Sequence, residues 1–175
     1  PTRSSAASDV YKRQTLCYDI LEDIGDDYAR QVDWETLQSQ SEVISLHIPQ
    51  TDLTKGMINK EFIDAMSHPF WLLNTARGSV VVTQDLVEGL QSQKIMGAGL
   101  DVLEYETQSF SSIFSHESQP PALQYLMEAE NVLLSPHVAG WTRESHLKLA
   151  TTIVEKVKNI FSYCLLYTSP SPRDH

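Results

Sequence analysis

The chain has 175 residues, of which 41% are apolar and 21% charged, and is long enough for one domain with a sizeable core. Its net charge of −10 and isoelectric point of about 4.9 argue against nucleic acid as the main partner, because phosphate contacts need clustered Lys and Arg. Two cysteines, Cys17 and Cys164, form no disulfide framework, and no apolar run reaches the roughly 20 residues of a membrane span. These features predict a cytoplasmic protein that is not embedded in a membrane.

The two ends differ from the rest of the sequence. Residues 1–14 have no apolar period, and residues 164–175 follow a helical pattern with prolines and polar residues. Both resemble peptides encoded when sequencing-adapter DNA is translated. We therefore expect residues 1–14 and 164–175 to be non-native tails and exclude them from the prediction of the fold.

Continuous apolar runs predict strands. They lie at residues 15–19, 42–49, 70–76, 95–102 and 131–137. Runs of this length are typical of parallel strands covered on both faces, and Trp71–Leu73 is a clear example.

Helical patterns separate these runs. One apolar stripe contains Ile58, Phe62, Ile63 and Met66, and a second contains Leu86, Val87 and Leu90, with Thr83 as its predicted N-cap. The longest pattern covers residues 142–163, with Thr142 as its N-cap. Strands alternating with helices predict a doubly wound α/β fold with a mostly parallel sheet.

Residues able to do chemistry follow every predicted strand. They are Asp19, then His47 with Pro49, then Thr75, Ala76 and Arg77, then Asp101, and finally Pro136 with His137. Ligands of such sheets bind beyond the carboxyl ends of the strands, so these residues are the candidate site. No metal site is predicted.

Four segments, "SLHIPQTDLTKGMI", "LLNTARGSVV", "GAGLDVLEYE" and "NVLLSPHVAGWT", resemble the D-isomer-specific 2-hydroxyacid dehydrogenases in order and spacing. The "DVLEYE" block is similar to the phosphoglycerate dehydrogenase-like subgroup. The resemblance covers residues 15–163 and implies an NAD-dependent oxidoreductase acting on the CH–OH group of a D-2-hydroxy acid. It divides the chain into a partial NAD-binding domain, residues 15–141, and a helix, residues 142–163, that returns to a substrate domain.

The resemblance implies a catalytic set of three residues. Arg77 would bind the substrate carboxylate and polarise the keto oxygen, and His137 would be the general acid and base. Glu106 would orient His137, with Glu104 as the alternative position for this carboxylate. Gly78 is expected to leave room for the approach of the substrate.

The resemblance also implies a set of cofactor contacts. Asp19 would hydrogen-bond the adenosine ribose hydroxyls and repel a 2′-phosphate, which favours NAD over NADP. The remaining expected contacts are His47, Ile48, Pro49, Thr75, Ala76, Arg77, Asp101, His137 and Gly140.

The family's G-x-G-x-x-G turn does not occur in the sequence. The strand before that turn is central in the usual order, so we expect an incomplete Rossmann-type sheet. The neighbouring strands would close up across the gap, or residues from the segment 1–14, for instance around 9–12, would fill it, or the sheet would be defective. We expect this fragment to be inactive alone, and its parent to be a homodimer.

Two alternatives share this fold. One is an NAD-sensing regulator, as in the related transcriptional corepressors, which retain the same three residues. The other is another Rossmann enzyme such as an adenosylhomocysteine hydrolase, against which "NTARG" and "SPHVAG" speak. Turnover of glyoxylate, hydroxypyruvate or pyruvate with NADH would favour the dehydrogenase.

Overall fold

The structure, a computed structural model, describes residues 15–105 and 120–164 of the chain, with side chains described as far as Phe161. The chain divides between Pro136 and His137 into two compact units. Each unit is considered by itself.

The first unit alternates short strands with helices. Its strands are β1 (Thr15–Cys17), β2 (Ala29–Gln31), β3 (Val43–Leu46), β4 (Phe70–Asn74), β5 (Ile95–Leu100) and β6 (Val132–Leu134). Its helices are α1 (Trp34–Gln40), α2 (Lys60–Ala65), α3 (Thr83–Gln91) and α4 (Pro121–Glu128), with a 3₁₀ turn at Gly78–Val80. The second unit contains α5 (Arg143–Cys164).

The main sheet is parallel throughout. Four strands pair in the order β3-β4-β5-β6, with Leu72 of β4 opposite Ile44 of β3 and Ala98 of β5. The predicted α/β class is therefore confirmed. All five predicted strands are present but shorter than predicted, because each predicted run includes residues of the turn that follows the strand.

A second, two-stranded sheet consists of β1 and β2, also parallel. Within the described residues, β1 pairs with β2 alone and β3 with β4 alone, so the sheet is divided between β1 and β3. The expectation that these strands close up across the gap is therefore wrong for the described residues. The suggestion that residues 9–12 fill the gap lies outside them.

The hydrophobic core lies on one face of the main sheet. Leu72 and Phe70 of β4 are completely buried, as is Ile95 of β5. They pack with side chains of α2, α3 and α4, among them Phe62, Ile63, Leu86, Leu90 and Leu126. The predicted apolar stripes of α2 and α3 are thus the faces that cover the sheet.

The opposite face of the main sheet carries apolar side chains that are exposed among the described residues. Its apolar side chains are Val43, Trp71, Leu73, Met96 and Leu133, with exposed fractions between 41% and 73%. The prediction that Trp71–Leu73 is buried on both faces is therefore wrong for this face. The helices that form the core all pack on the other face of the sheet. An apolar run predicts a strand but does not show which of its faces other elements cover.

Adjacent leucines of β4 test this one-sided core. Replacing Leu72 with alanine should cost about 3 kcal/mol of unfolding free energy, because it leaves a cavity in the packed face. Replacing Leu73, which is 41% exposed, should cost less than about 1 kcal/mol. Urea unfolding followed by tryptophan fluorescence measures both, and equal losses would contradict a core confined to one face.

Side-chain caps fix the starts of α1 and α2. The Asp33 carboxylate accepts a hydrogen bond from Thr36 N at 2.7 Å. Hydrogen bonding from the Thr36 side chain, and then from its backbone N–H, lowers the pKa of Asp33. Asn59 Oδ1 accepts a hydrogen bond from Phe62 N at 3.0 Å. Neither cap was predicted. The helix α1 itself was missed, because its seven residues carry no clear apolar period.

The predicted cap of α3 is wrong. Thr83 is the first helical residue, is 3% exposed, and follows the N-cap residue Val82. Its backbone N–H donates to Glu104 Oε2 at 2.8 Å. The cap acceptor therefore comes from a segment 21 residues later, which local sequence rules cannot identify.

The second unit is dominated by α5. Thr142 Oγ1 accepts a hydrogen bond from Ser145 N at 3.1 Å, which confirms Thr142 as the capping side chain. The apolar side chains Leu147, Ile153, Val157, Ile160 and Phe161 of this helix are exposed. Among the helices in the described ranges, none combines the length and the apolar character needed to cross a membrane.

Candidate functional site

The carboxyl ends of β3, β4, β5 and β6 meet at one edge of the main sheet, because these strands are parallel. The residue that follows each strand is His47, Thr75, Asp101 or Ser135, respectively. The candidate residues of the first unit that follow β3, β4, β5 or β6 in the sequence therefore lie at this edge.

The turn after β4 is held by a buried side chain. Asn74, completely buried, accepts a hydrogen bond from Ala76 N at 3.1 Å through Oδ1 and donates one from Nδ2 to Arg77 O at 3.0 Å. The Arg77 side chain is exposed, and its Nη1 donates to Ala76 O at 2.6 Å. Asn74 was not predicted as a residue of the site, although asparagine is a common residue where a chain turns after a strand.

Gly78 allows two backbone segments to approach each other closely. A Cβ atom on Gly78 would collide with the carbonyl group of Leu103 and would lie 2.7 Å from Glu104 N. The glycine therefore makes room for the backbone that leaves β5, and its expected role in leaving room for a substrate stays a prediction.

Glu104 joins the same two segments. Its carboxylate caps α3 through Thr83 N, so the alternative carboxylate of the predicted catalytic set is engaged at a helix start. Glu106, the preferred candidate, lies outside the described residues.

Asp101 connects the ends of β5 and β6. Its carboxylate is 4% exposed, and Oδ1 accepts a hydrogen bond from Ser135 Oγ at 2.6 Å. The backbone N–H of Asp101 donates to Asn74 O at 2.9 Å, so the ends of β4, β5 and β6 are tied together at this edge. The predicted contact between Asp101 and a cofactor stays a prediction.

The loop after β3 supplies further polar groups at the edge. His47 Nε2 and Ser45 Oγ are 2.8 Å apart, and both residues are exposed. Ile48 is half-buried and packs against the core. Pro49 O accepts a hydrogen bond from Thr54 Oγ1 at 2.7 Å, which closes the loop on itself.

Asp19 follows the first strand. It lies two residues beyond β1, is exposed, and accepts a hydrogen bond from Leu21 N at 2.9 Å through Oδ1. Burial raises the pKa of the nearby Cys17 thiol, and the negative charges of Asp26 and Asp19 raise it further. Cys17 is therefore protonated near neutral pH and is a poor nucleophile.

His137 and Gly140 belong to the second unit. His137 has a backbone φ of 55°, in the left-handed region that few non-glycine residues adopt. Gly140 is exposed, and a Cβ on it would meet no described atom within 4 Å. The structure places Arg77 in the first unit and His137 in the second. The three-residue catalytic set therefore stays a prediction.

The comparisons with known proteins agree in one family. Residues 6–139 match the model of the D-isomer specific 2-hydroxyacid dehydrogenase, NAD binding domain. The chain is 34% identical over 154 residues to a glyoxylate reductase of Thermococcus litoralis, covering 88% of this chain and 41% of the relative. It is 33% identical over 151 residues to a hydroxypyruvate reductase of Thermotoga maritima, covering 85% of this chain and 45% of the relative. The chain thus spans less than half the length of these curated relatives.

Solved structures give the same answer. A D-lactate dehydrogenase of Aquifex aeolicus, solved with NAD and lactic acid, matches with a TM-score of 0.75 and 31% identity over 95% of this chain and 54% of that chain. A D-2-hydroxyisocaproate dehydrogenase matches with a TM-score of 0.76 and 31% identity over 87% of this chain and 47% of that chain. The chain therefore belongs to the NAD-binding domain family of the D-isomer-specific 2-hydroxyacid dehydrogenases.

Proposed function

We propose that this chain carries the cofactor-binding part and the substrate-binding arginine of an NAD-dependent oxidoreductase that interconverts a D-2-hydroxy acid and a 2-keto acid. The observation that carries this proposal is the turn after β4. It displays an exposed guanidinium at the carboxyl edge of a parallel sheet, in a member of an NAD-binding family.

The polar groups of the first unit fit NAD as the cofactor. Asp19 offers an exposed carboxylate, which suits the two hydroxyls of a ribose, and Thr75 offers an exposed hydroxyl at the sheet edge. We assign the further contacts to His47, Ile48, Pro49, Ala76 and Asp101 in the first unit, and to Gly140 in the second. When bound, NAD supplies the hydride chemistry.

The side chains of the chain bind substrate and move the proton. The planar Arg77 guanidinium forms two parallel hydrogen bonds to the substrate carboxylate and polarises the adjacent carbonyl. The His137 imidazole donates a proton to the carbonyl oxygen during reduction and accepts it during oxidation. The Glu106 carboxylate orients the imidazole.

A chimera tests this proposal. Residues 15–163 replace the matching segment of the Thermococcus litoralis glyoxylate reductase, so that the relative supplies the remaining structure. We expect NADH oxidation at 340 nm with glyoxylate, hydroxypyruvate or pyruvate, and a loss of at least about a hundredfold in kcat/KM for Arg77→Gln. A folded chimera that binds NADH but reduces none of these acids would instead favour the NAD-sensing regulator.

Asp19 should set the choice between NADH and NADPH. In the chimera, Asp19→Ser with Ile20→Arg should shift the ratio of their KM values at least about tenfold toward NADPH, because a carboxylate is replaced by a cation near the 2′-phosphate. Ile20 is 79% exposed, so arginine fits there without loss of packing. Asp27→Ser, at another exposed acid of the same loop, is the control. An unchanged ratio in the double variant would refute the role of Asp19.

We further propose that the parent protein is a cytoplasmic homodimer. This rests on its family and on the acidic composition of the chain. Sedimentation equilibrium of the parent and fractionation of the source cells are the tests, and a monomer or a membrane-bound pool would contradict it.

A further inference from the structure

We infer that Asn74 is a positioning residue for Arg77, and that the two hydrogen bonds of its carboxamide fix the turn that carries the guanidinium. The functional meaning of this inference rests on the proposed function, since it concerns the arginine assigned to the substrate carboxylate.

The two bonds of Asn74 act on different groups of the turn. Oδ1 accepts from Ala76 N at 3.1 Å, and Nδ2 donates to Arg77 O at 3.0 Å. A carboxamide carries its acceptor and its donor on two separate atoms, so it can bind two backbone groups at once, whereas a carboxylate can supply only acceptors. The two bonds together therefore fit asparagine better than aspartate at this position.

The surroundings make this arrangement rigid. Asn74 is completely buried, so the loss of either bond leaves a polar group without water to replace its partner. Its backbone oxygen accepts from Asp101 N at 2.9 Å, which ties the start of the turn to β5. Arg77 O also accepts from Val80 N at 3.3 Å, which ties the end of the turn to the 3₁₀ segment.

The backbone of this turn also binds the Arg77 guanidinium. Arg77 Nη1 donates a hydrogen bond to Ala76 O at 2.6 Å, and Asn74 accepts one from Ala76 N. The Arg77 side chain and the Asn74 side chain therefore bind the two backbone polar groups of the same residue, Ala76. If the turn loses its fixed conformation, the orientation of the guanidinium is no longer fixed. Asn74 itself would touch neither substrate nor cofactor.

Measurements on the full chain test this arrangement. Amide hydrogen exchange is read at Ala76 and, as a reference for the whole strand, at Leu72 in the middle of β4. Modification of Arg77 by phenylglyoxal is read by peptide mass spectrometry. In Asn74→Ala we expect Ala76 exchange to rise about tenfold or more while Leu72 exchange is unchanged, and Arg77 modification to change several-fold.

Asn74→Asp separates the two bonds. It keeps the acceptor for Ala76 N, so that amide should stay protected, but it cannot donate to Arg77 O, so Arg77 modification should differ from that of the unsubstituted chain. Asn131→Ala is the matched control, because the Asn131 side chain donates to Met96 O at 2.9 Å at the opposite end of the sheet. Neither readout should change in that variant.

Two results would overturn the inference. One is Asn74→Ala with both rates unchanged, and the other is Leu72 exchange rising as much as Ala76 exchange, which would make Asn74 a residue of general stability. Pyruvate with NADH, added to the chimera that supplies the remaining structure, should slow Arg77 modification. Absence of that protection counts against the proposed function, whereas the exchange and modification rates of the variants judge the positioning role.

Discussion

Replacing Gly78 with alanine should destabilise the first unit by about 3 kcal/mol or more. The new Cβ would collide with the Leu103 carbonyl group and would lie 2.7 Å from Glu104 N. These are backbone atoms, which cannot rotate aside as the end of a flexible side chain can. The 3₁₀ turn and the segment leaving β5 would have to separate, and the cap that Glu104 places on α3 would be strained with them.

Urea unfolding followed by tryptophan fluorescence measures this loss. Gly140→Ala is the matched control, because the same substitution there meets no described atom within 4 Å and should change stability by less than about 0.5 kcal/mol. If Gly78→Ala were as stable as Gly140→Ala, the close approach of the two segments would be wrong.

The strands and the core helices could be predicted because their signal is local. Each main-sheet strand is a compact apolar run, and the stripes of α2 and α3 have helical spacing, so the α/β class follows from the sequence. The exposed face of the sheet could not be predicted, because Trp71 is as apolar as Leu72 and only tertiary packing separates them. β2 and α1 were missed because three and seven residues with few apolar positions give no period.

The candidate site shows a similar division. Arg77 could be selected because its motif resembles that of a family, and its exposed position at the sheet edge is compatible with the proposed role. The structural roles of the residues that hold the site together were not predicted. Asn74 bonds within its own turn, whereas Glu104 caps a helix 21 residues earlier and Gly78 makes room for Leu103. The partners of Glu104 and Gly78 are fixed by the packing of separate segments, which a single sequence does not record, whereas the turn at Asn74 carries a local signal.

Replacing His137 with asparagine should give the largest loss of activity. In the chimera we expect kcat for 2-keto acid reduction to fall about 10²- to 10⁴-fold, because asparagine has no group that exchanges a proton near neutral pH. The dissociation constant for NADH should stay within about threefold, since the imidazole is assigned mainly to the substrate oxygen and is only one of several expected cofactor contacts.

The backbone makes asparagine the informative substitution at this position. His137 has φ of 55°, which asparagine tolerates and alanine adopts only with strain, so His137→Asn tests the imidazole while His137→Ala also tests the backbone. Stopped-flow NADH fluorescence separates binding from turnover, and His68→Asn, an exposed histidine without an assigned role, is the control. A loss of NADH affinity as large as the loss of turnover would assign His137 to cofactor binding. Unchanged turnover would remove it from the catalytic set.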